Sequence, residues 1–261
     1  MGAVLNPTTT GTVVAPTRPD DPVVTAAARL LAESVPSSCA GLVAYHASDY
    51  AAFLAASLAP PPPLHTLLLR CVCDETGVRA VADWRLLGRR LLLNGIAVRT
   101  RDRGHGHGSR LLDDGIRLAN ELGCDQLLLD VSLENTVARR LYRRAGYQDQ
   151  SYQVWTHLDP ATPPADSPAR IVDWASFTAH HRAYGFGDLR VRVGDDEFGV
   201  RCVGSAARVP GGAAGATVRA TLGPLLGIDR WYVTTASAEP ETEPGFARFA
   251  RMWRGLPAQG R

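Results

Sequence analysis

The stretch Arg103-Gly104-His105-Gly106-His107-Gly108-Ser109 decides the fold, because it joins an apolar run to the start of a helix. Before it, residues 91–98 are short, apolar and typical of a buried strand. After it, apolar residues recur at helical spacing until Leu122-Gly123. Glycines let successive backbone N–H groups turn toward one anion, and the helix start adds unpaired donors and its positive dipole end. The stretch therefore predicts a cradle for a diphosphate.

The surrounding sequence argues against two other nucleotide-binding loops. A dinucleotide fingerprint has the six-residue spacing G-x-G-x-x-G, which Gly104, Gly106 and Gly108 do not give. A triphosphate loop needs a Lys-Ser or Lys-Thr pair, and the chain contains no lysine. Tight packing of strand against helix remains as an alternative reason for the glycines. The residues that follow the turn are needed to distinguish a packing turn from a phosphate-binding one.

A second motif follows the next predicted strand, at 126–131. It reads Asn135-x-x-Ala138-x-x-Leu141-Tyr142-x-x-x-Gly146-Tyr147, and it accompanies Arg103-x-x-Gly106-x-Gly108. Together the two motifs resemble the GNAT superfamily of acyl-CoA N-acyltransferases, and the resemblance extends over residues 64–158. It implies an α/β (α+β) fold with a mixed, mostly antiparallel central sheet flanked by helices. Two early helices, predicted at 22–33 and 47–58, would bound the acceptor site.

The resemblance also implies a site for acyl-CoA. GNAT enzymes splay two adjacent parallel strands, here 91–98 and 126–131, and the pantetheine arm lies between them. The first strand would bind the pantetheine through its main chain, and the glycine turn would hold the diphosphate. The two histidines would assist the phosphates or be exposed loop residues, and Arg103 would orient the loop or pair with phosphate. The implied cofactor-binding residues are Ile96, Ala97, Val98, Arg103, Gly104, His105, Gly106, His107, Gly108, Ser109 and Asn135.

Acyl transfer to an amine needs a base, since an ammonium has no lone pair, and an acid for the departing thiolate. Tyr142 occupies the position of the family's thiolate-protonating tyrosine. Asp130 lies where some members carry a glutamate base, and Asp83 or a water molecule remains an alternative. Glu134 is expected to cap the following helix. The resemblance therefore implies Tyr142 as the general acid and Asp130 as the candidate general base.

Composition limits the class of partner and compartment. The 261-residue chain is 45% hydrophobic, which suffices for a substantial core, and its formal net charge is only +2. Its five cysteines show neither a metal-binding spacing nor a disulfide framework. The sequence shows neither a secretory pattern nor a membrane span. We therefore expect a cytoplasmic protein with no metal cofactor, no nucleic-acid partner and no membrane association.

Four segments follow from the composition along the chain. We predict a flexible N-terminus at 1–11, an acetyltransferase domain at 12–158, a proline-rich linker at 159–168 and a smaller α+β domain at 169–261. The C-terminal domain repeats the order of glycine turn, helix and strand faintly, so it is a candidate degenerate half-repeat. It lacks a spaced glycine loop, and we expect no second cofactor there. A final helix is predicted at 245–254.

Two classes of function remain open from the sequence. The first is acetyl transfer from acetyl-CoA to a primary amine of a small molecule or a peptide, by a protein for which a homodimer is an open alternative. The second is a non-catalytic acyl-CoA sensor whose C-terminal domain engages a protein partner. Retention of Asp130, Asn135 and Tyr142 favours the enzyme, because a sensor has no evident need for all three. The acceptor and the acyl chain length stay open.

Overall fold

The structure is a computed structural model that describes residues 12–16, 18–159 and 168–257. The predicted flexible N-terminus at 1–11 and most of the predicted linker lie outside the described residues. The strands are β1 (Val13–Val14), β2 (Leu67–Asp74), β3 (Gly77–Leu87), β4 (Arg90–Val98), β5 (Gln126–Ser132), β6 (Gln148–Leu158), β7 (Arg170–Ile171), β8 (Phe186–Val193), β9 (Asp196–Val203), β10 (Ala206–Arg208), β11 (Arg230–Ser237) and β12 (Ala247–Gly255). The helices are α1 (Pro22–Glu33), α2 (Tyr50–Ser57), α3 (His107–Glu121), α4 (Thr136–Arg144), α5 (Trp174–Tyr184) and α6 (Gly212–Leu226).

Local signals explain where the first helix begins. Asp21 is the N-cap of α1, and its carboxylate accepts a hydrogen bond from the Val23 N–H at 2.9 Å. Pro22 occupies the first helical position, where the missing N–H costs nothing. The predicted range of α1 is therefore confirmed, whereas α2 is shorter than the predicted 47–58 at both ends.

All twelve strands of the described residues form one sheet, in the order β1-β2-β3-β4-β5-β12-β6-β11-β10-β9-β8-β7. Two neighbouring pairs are parallel, β4 with β5 and β10 with β11, and the other pairs are antiparallel. The predicted mixed, mostly antiparallel sheet flanked by helices is therefore confirmed.

The sheet contains the same arrangement twice. In the N-terminal half (12–159), β1 to β5 run from the outer edge inward, and α3 connects the parallel pair. In the C-terminal half (168–257), β7 to β11 do the same from the other edge, with α6 as the connection. The last strands of the two halves, β6 and β12, are exchanged at the centre of the sheet. Strand β12 of the C-terminal half pairs with β5, and strand β6 of the N-terminal half pairs with β11. The order supports the predicted half-repeat.

The predicted final helix at 245–254 is wrong, because this segment is strand β12. Ala250 and Met252 point into the core beneath α3 and α4, while Arg251 faces the opposite side of the sheet. This alternation suits a central strand that β5 and β6 flank on both edges. The exchange of last strands between the halves therefore decides the structure of this segment.

Helices cover both faces of the N-terminal half. Trp84, Leu93, Leu129 and their neighbours form one core with α3 and α4. On the opposite face, α1 and α2 pack over β2 and β3, and Phe186 of β8 joins this second core. The C-terminal half therefore shares a hydrophobic core with the two helices that the resemblance places beside the acceptor.

Candidate active site

An open cleft separates the C-terminal ends of β4 and β5. The strands pair in parallel as far as Leu93 and Leu129. Beyond these residues β4 continues to Val98 beside β3, and β5 continues to Ser132 beside β12. The edge of β4 that faces β5 is therefore unpaired over this stretch of the described chain. An extended, amide-containing ligand can add to such an edge as another strand would.

The pairing of β4 with β5 ends at a β-bulge. Asp83 of β3 lies opposite Gly95 and Trp84 lies opposite Leu93, so Asn94 is the extra residue of β4. A bulge bends its strand and redirects side chains. Here the Asn94 amide donates to Asp83 Oδ2 at 3.0 Å. The bulge thus begins the cleft and places a polar cluster beside it.

Asp83 is the centre of that cluster and is fully buried, with 0% exposure. Its Oδ2 accepts hydrogen bonds from Tyr45 Oη (3.1 Å), Tyr50 Oη (3.0 Å), Asn94 Nδ2 (3.0 Å) and Arg85 Nη2 (2.8 Å). A buried carboxylate needs such partners, and Arg85 supplies the opposite charge. Burial and then the Asp83 charge raise the pKa of both tyrosines, so their hydroxyls remain donors. Oδ1 is buried and has no hydrogen-bond partner among the described residues.

The glycine turn has the backbone of an anion cradle. Gly104 and Gly106 have φ angles of +80° and +78°, and an added Cβ would meet nothing within 4 Å at either position. Conformation rather than crowding therefore requires glycine at both. Gly106 is the N-cap of α3, and the first N–H groups of the helix have no intrahelical acceptors. These donors and the helix dipole favour an anion at this point.

A buried carboxylate and an arginine fix the approach to the turn. Asp102, which is 9% exposed, accepts a hydrogen bond from Arg99 Nε, with Arg79 Nη1 at 3.9 Å. The Arg99 hydrogen bond lowers the pKa of Asp102, which therefore stays ionised. Arg103 Nε donates to the Val98 carbonyl at 3.3 Å. This contact agrees with the first role predicted for Arg103, which is to orient the loop. Pairing of Arg103 with a phosphate stays a prediction.

The two histidines of the turn lie in different environments. His105 is exposed, whereas His107 is 4% exposed and is the first residue of α3. Neither ring nitrogen of His107 has a hydrogen-bond partner among the described residues. Burial, followed by the nearby Arg110, lowers the pKa of His107, so the ring is neutral at pH 7. His107 therefore supplies no positive charge to an anion at this turn.

Asn135 is the N-cap of α4. Its Oδ1 accepts a hydrogen bond from the Ala138 N–H at 3.0 Å. The prediction that Glu134 caps this helix is therefore wrong, because the shorter Asn135 side chain reaches the free N–H from the boundary position. Contact of Asn135 with a cofactor stays a prediction.

Tyr142 lies on α4, 5% exposed, in the core that contains Leu129 and Val131 of β5. Its ring packs edge-on against Tyr147, with centroids 6.0 Å apart. Burial raises the pKa of Tyr142, so the phenol is protonated at neutral pH. This is the protonation state that a proton donor needs, and its catalytic role stays a prediction.

Asp130 is the first residue of β5 beyond the last pair with β4, and it lies opposite Arg251 of β12. Arg251 Nε and Nη2 donate to its two carboxylate oxygens at 2.8 and 2.6 Å. The side chains are 36% and 39% exposed, so the pair borders solvent. The pair occupies both oxygens of the candidate base and brings a residue of the C-terminal half to the cleft.

Five residues that contact Asp83 or Asp130 escaped the sequence analysis. Tyr45, Tyr50 and Arg85 carry no motif, and Arg251 lay in a segment predicted as a helix. Asn94 alone had a readable signal, since Asn-Gly inside an apolar strand indicates a bulge.

Residues 27–147 match the family model described as the Acetyltransferase (GNAT) family. With the splayed strands and the glycine turn, this match identifies residues 27–147 as a GNAT domain, and the predicted resemblance is confirmed. A search of curated proteins gives no significant match.

Solved structures with the same fold span nearly the whole chain. A tandem GNAT protein from the clavulanic acid biosynthesis pathway is 15% identical, with a TM-score of 0.64, over 96% of this chain and 99% of that one. A GCN5-related N-acetyltransferase from Sphaerobacter thermophilus is 16% identical, with a TM-score of 0.61, over 99% of both chains. A putative acetyltransferase from Pyrococcus horikoshii is 11% identical, with a TM-score of 0.62, over 97% and 92%. These likenesses establish the fold over both halves.

The described ranges show neither a metal cluster nor a membrane-spanning helix. No cluster of three or more His, Cys, Asp or Glu side chains there is arranged to hold a metal ion. No helix in the same ranges is long and apolar enough to cross a membrane.

Proposed function

We propose that the protein transfers an acetyl group from acetyl-CoA to a primary amine of a small molecule or a peptide. The observation that carries this proposal is the unpaired edge of β4, which leads to the glycine turn at the start of α3. Acetyl-CoA has an extended arm with amide groups and a diphosphate, the two features that these surfaces accept. Ile96, Ala97 and Val98 would bind the arm, and 104–109 the diphosphate.

In the proposed reaction the amine nitrogen attacks the thioester carbon and the carbon–sulfur bond breaks. The amine proton passes to a base, and the thiolate takes a proton from Tyr142. Asp130 is the proposed base and acts through a water molecule, because Arg251 occupies both of its oxygens. Asp83 is the alternative, since its Oδ1 has no partner among the described residues. Each positioned acid or base contributes about 10² to 10⁴ in rate.

Calorimetric titration of the full chain with acetyl-CoA tests the donor site without any choice of acceptor. We expect saturation near one equivalent, with competition by free CoA as the control for specificity. Release of CoA thiol in a panel of primary amines then tests the transfer. Binding with no amine-dependent release would favour the acyl-CoA sensor, and no binding by folded protein would refute both functions.

Asparagine variants distinguish the two candidate bases. Asp130→Asn should lower kcat by about 10² to 10⁴ and leave acetyl-CoA affinity unchanged, because only the proton acceptor is lost. Asp188→Asn, which breaks an exposed ion pair with Arg201 on β8 and β9, is the matched control. A large loss of kcat in Asp83→Asn, with normal turnover in Asp130→Asn, would transfer the role of base to Asp83.

A further inference from the structure

The segment between α1 and α2, residues 36–46, bridges the two halves, and we call it the 36–46 loop. It contains two short 3₁₀ turns, Ser37–Cys39 and Ala44–His46. Its ends join the two helices that cover the β2–β3 face of the N-terminal half. Its middle contacts β11 of the C-terminal half.

Two side chains of β11 hold successive carbonyls of this loop. Arg230 donates from Nη1 to the Ala40 carbonyl at 3.0 Å and from Nη2 to the Gly41 carbonyl at 3.3 Å. Tyr232 Oη donates to the Leu42 carbonyl at 3.0 Å in a buried hydrogen bond. Burial raises the pKa of Tyr232 to about 12, so this donor keeps its proton at neutral pH.

Close steric contacts also hold the 36–46 loop against the C-terminal half. Gly41 has a φ angle of +72°, and an added Cβ there would lie 2.5 Å from Arg230 Nη2. Leu42 packs in a cluster with Tyr232 and Trp155, whose rings stack with centroids 5.1 Å apart. The middle of the loop is therefore held by hydrogen bonds from Arg230 and Tyr232 and by packing of Leu42 against aromatic rings.

Internal hydrogen bonds connect this held portion to the end of the loop. The Gly41 N–H donates to His46 Nδ1 at 2.9 Å. His46 Nε2 lies 3.0 Å from the Ala32 carbonyl of α1, so the imidazole joins the loop to the helix before it. A shift at Gly41 is therefore transmitted to His46 and to its neighbour Tyr45.

Tyr45 brings the loop to the cleft. Its hydroxyl donates to Asp83 Oδ2 at 3.1 Å and accepts from Asn94 Nδ2 at 2.7 Å. A Cβ added to Gly95 would collide with this hydroxyl and ring, so Tyr45 lies directly over the bulge of β4. The loop thus ends where β4 and β5 separate.

We propose that the C-terminal half positions the acceptor side of the N-terminal site, with Arg230 and Tyr232 as positioning residues that hold the 36–46 loop and thereby Tyr45. The inference rests on the proposed function, because it takes the bulge as the place where the acceptor amine meets the thioester. Loss of the clamp should weaken use of the acceptor and spare the donor, whose proposed contacts lie on β4 and the glycine turn.

The test combines Tyr232→Phe, which keeps the ring stacked on Trp155, with Arg230→Gln, singly and together. Arg201→Gln is the matched control, because its guanidinium pairs with Asp188 rather than with the loop. The readouts are hydrogen exchange of the 38–47 amides, calorimetric affinity for acetyl-CoA, and the KM for a primary amine from the panel. In the double variant we expect faster loop exchange and an amine KM raised about tenfold, with acetyl-CoA affinity within about twofold.

Unchanged loop exchange in the double variant would refute the clamp. A fall in acetyl-CoA affinity that parallels the rise in amine KM would also overturn the proposal, since it indicates general loss of structure. Gly41→Ala, which displaces Arg230 from the loop side, should reproduce the same separation of donor and acceptor effects. If the wild-type protein turns over no amine, the proposed transfer and the acceptor role both fail, while hydrogen exchange still reports separately on the clamp.

Discussion

The two halves of the sheet have the same strand order and differ at the place where chemistry is expected. In the N-terminal half, β4 continues to Val98 after its pairing with β5 stops at Leu93. In the C-terminal half, β10 ends at Arg208 while still paired with Tyr232 of β11. A cleft between parallel strands therefore exists in the first half alone among the described residues.

The helix starts differ in the same way. In the N-terminal half, Gly104 and Gly106 lie in an open turn between β4 and α3. In the C-terminal half, the connection from β10 to α6 is short, and a Cβ added to Gly215 would collide with the Pro210 carbonyl oxygen. An electron-rich carbonyl packed on the first turn of a helix disfavours an anion there. The second half thus keeps the connection without the cradle.

The return to the last strand differs as well. Between β5 and β6 the chain forms α4, which carries Asn135 at its N-cap and Tyr142. Between β11 and β12 the chain passes through 238–246, which contains no helix. The second half therefore has no position equivalent to Tyr142. The comparison teaches that two halves can share a strand order while, among the described residues, the cleft, the open glycine turn and the helix between the last two strands occur in the first half alone.

Tyr142→Phe should give the largest effect. Among the described residues, only the N-terminal half has a helix between its last two strands, and Tyr142 lies on that helix. We expect kcat to fall by about 10² to 10⁴ with acetyl-CoA affinity unchanged, since only the proton donor is removed. Tyr147→Phe is the matched control, because that buried tyrosine packs edge-on against Tyr142. Steady-state kinetics and calorimetry decide, and full activity in Tyr142→Phe would remove the chemical contrast between the halves.

Gly106→Ala and Gly212→Ala compare the two helix starts directly. Both glycines have positive φ and open space around them, so each substitution should cost about 1 kcal/mol of stability. Only Gly106→Ala should weaken acetyl-CoA, by about tenfold, because the strain moves the backbone donors of the cradle. Thermal denaturation and calorimetry measure the two effects. Equal losses of affinity would show that both helix starts bind the donor.

Asp102→Asn should give the smallest effect and sharpen the account of the cradle. The pKa of the folded Asp102 carboxyl is lowered, so its stabilisation is present above the ordinary value of about 4 and is lost as pH falls through the folded value. The variant should therefore melt below the wild type at pH 7, and the difference should shrink toward acid pH. Asp188→Asn is the control, because the Asp188 carboxylate pairs with Arg201 on β9, away from the turn. A difference that grows on acidification would contradict the assignment.

Much of the proposed donor site followed from local sequence. The apolar run of β4, the glycine turn and α3 adjoin in the chain, so strand, turn and helix periodicities suffice to predict them. The motif from Asn135 to Tyr147 likewise spans a single helix and its ends. In these segments the backbone conformation depends on residues a few positions apart.

The proposed acceptor side depended on pairings between residues that lie far apart in the sequence. Asp83 meets Tyr45 and Tyr50 only after α2 has packed on the sheet, and Asp130 meets Arg251 only because β12 inserts beside β5. The clamp of Arg230 on the 36–46 loop joins residues some 190 positions apart. The sequence by itself determined the strand, turn and helix of the proposed donor site, because their geometry is local. The tertiary structure decided which charges and hydroxyls face the cleft, because strand order and register place those groups and no local pattern encodes either.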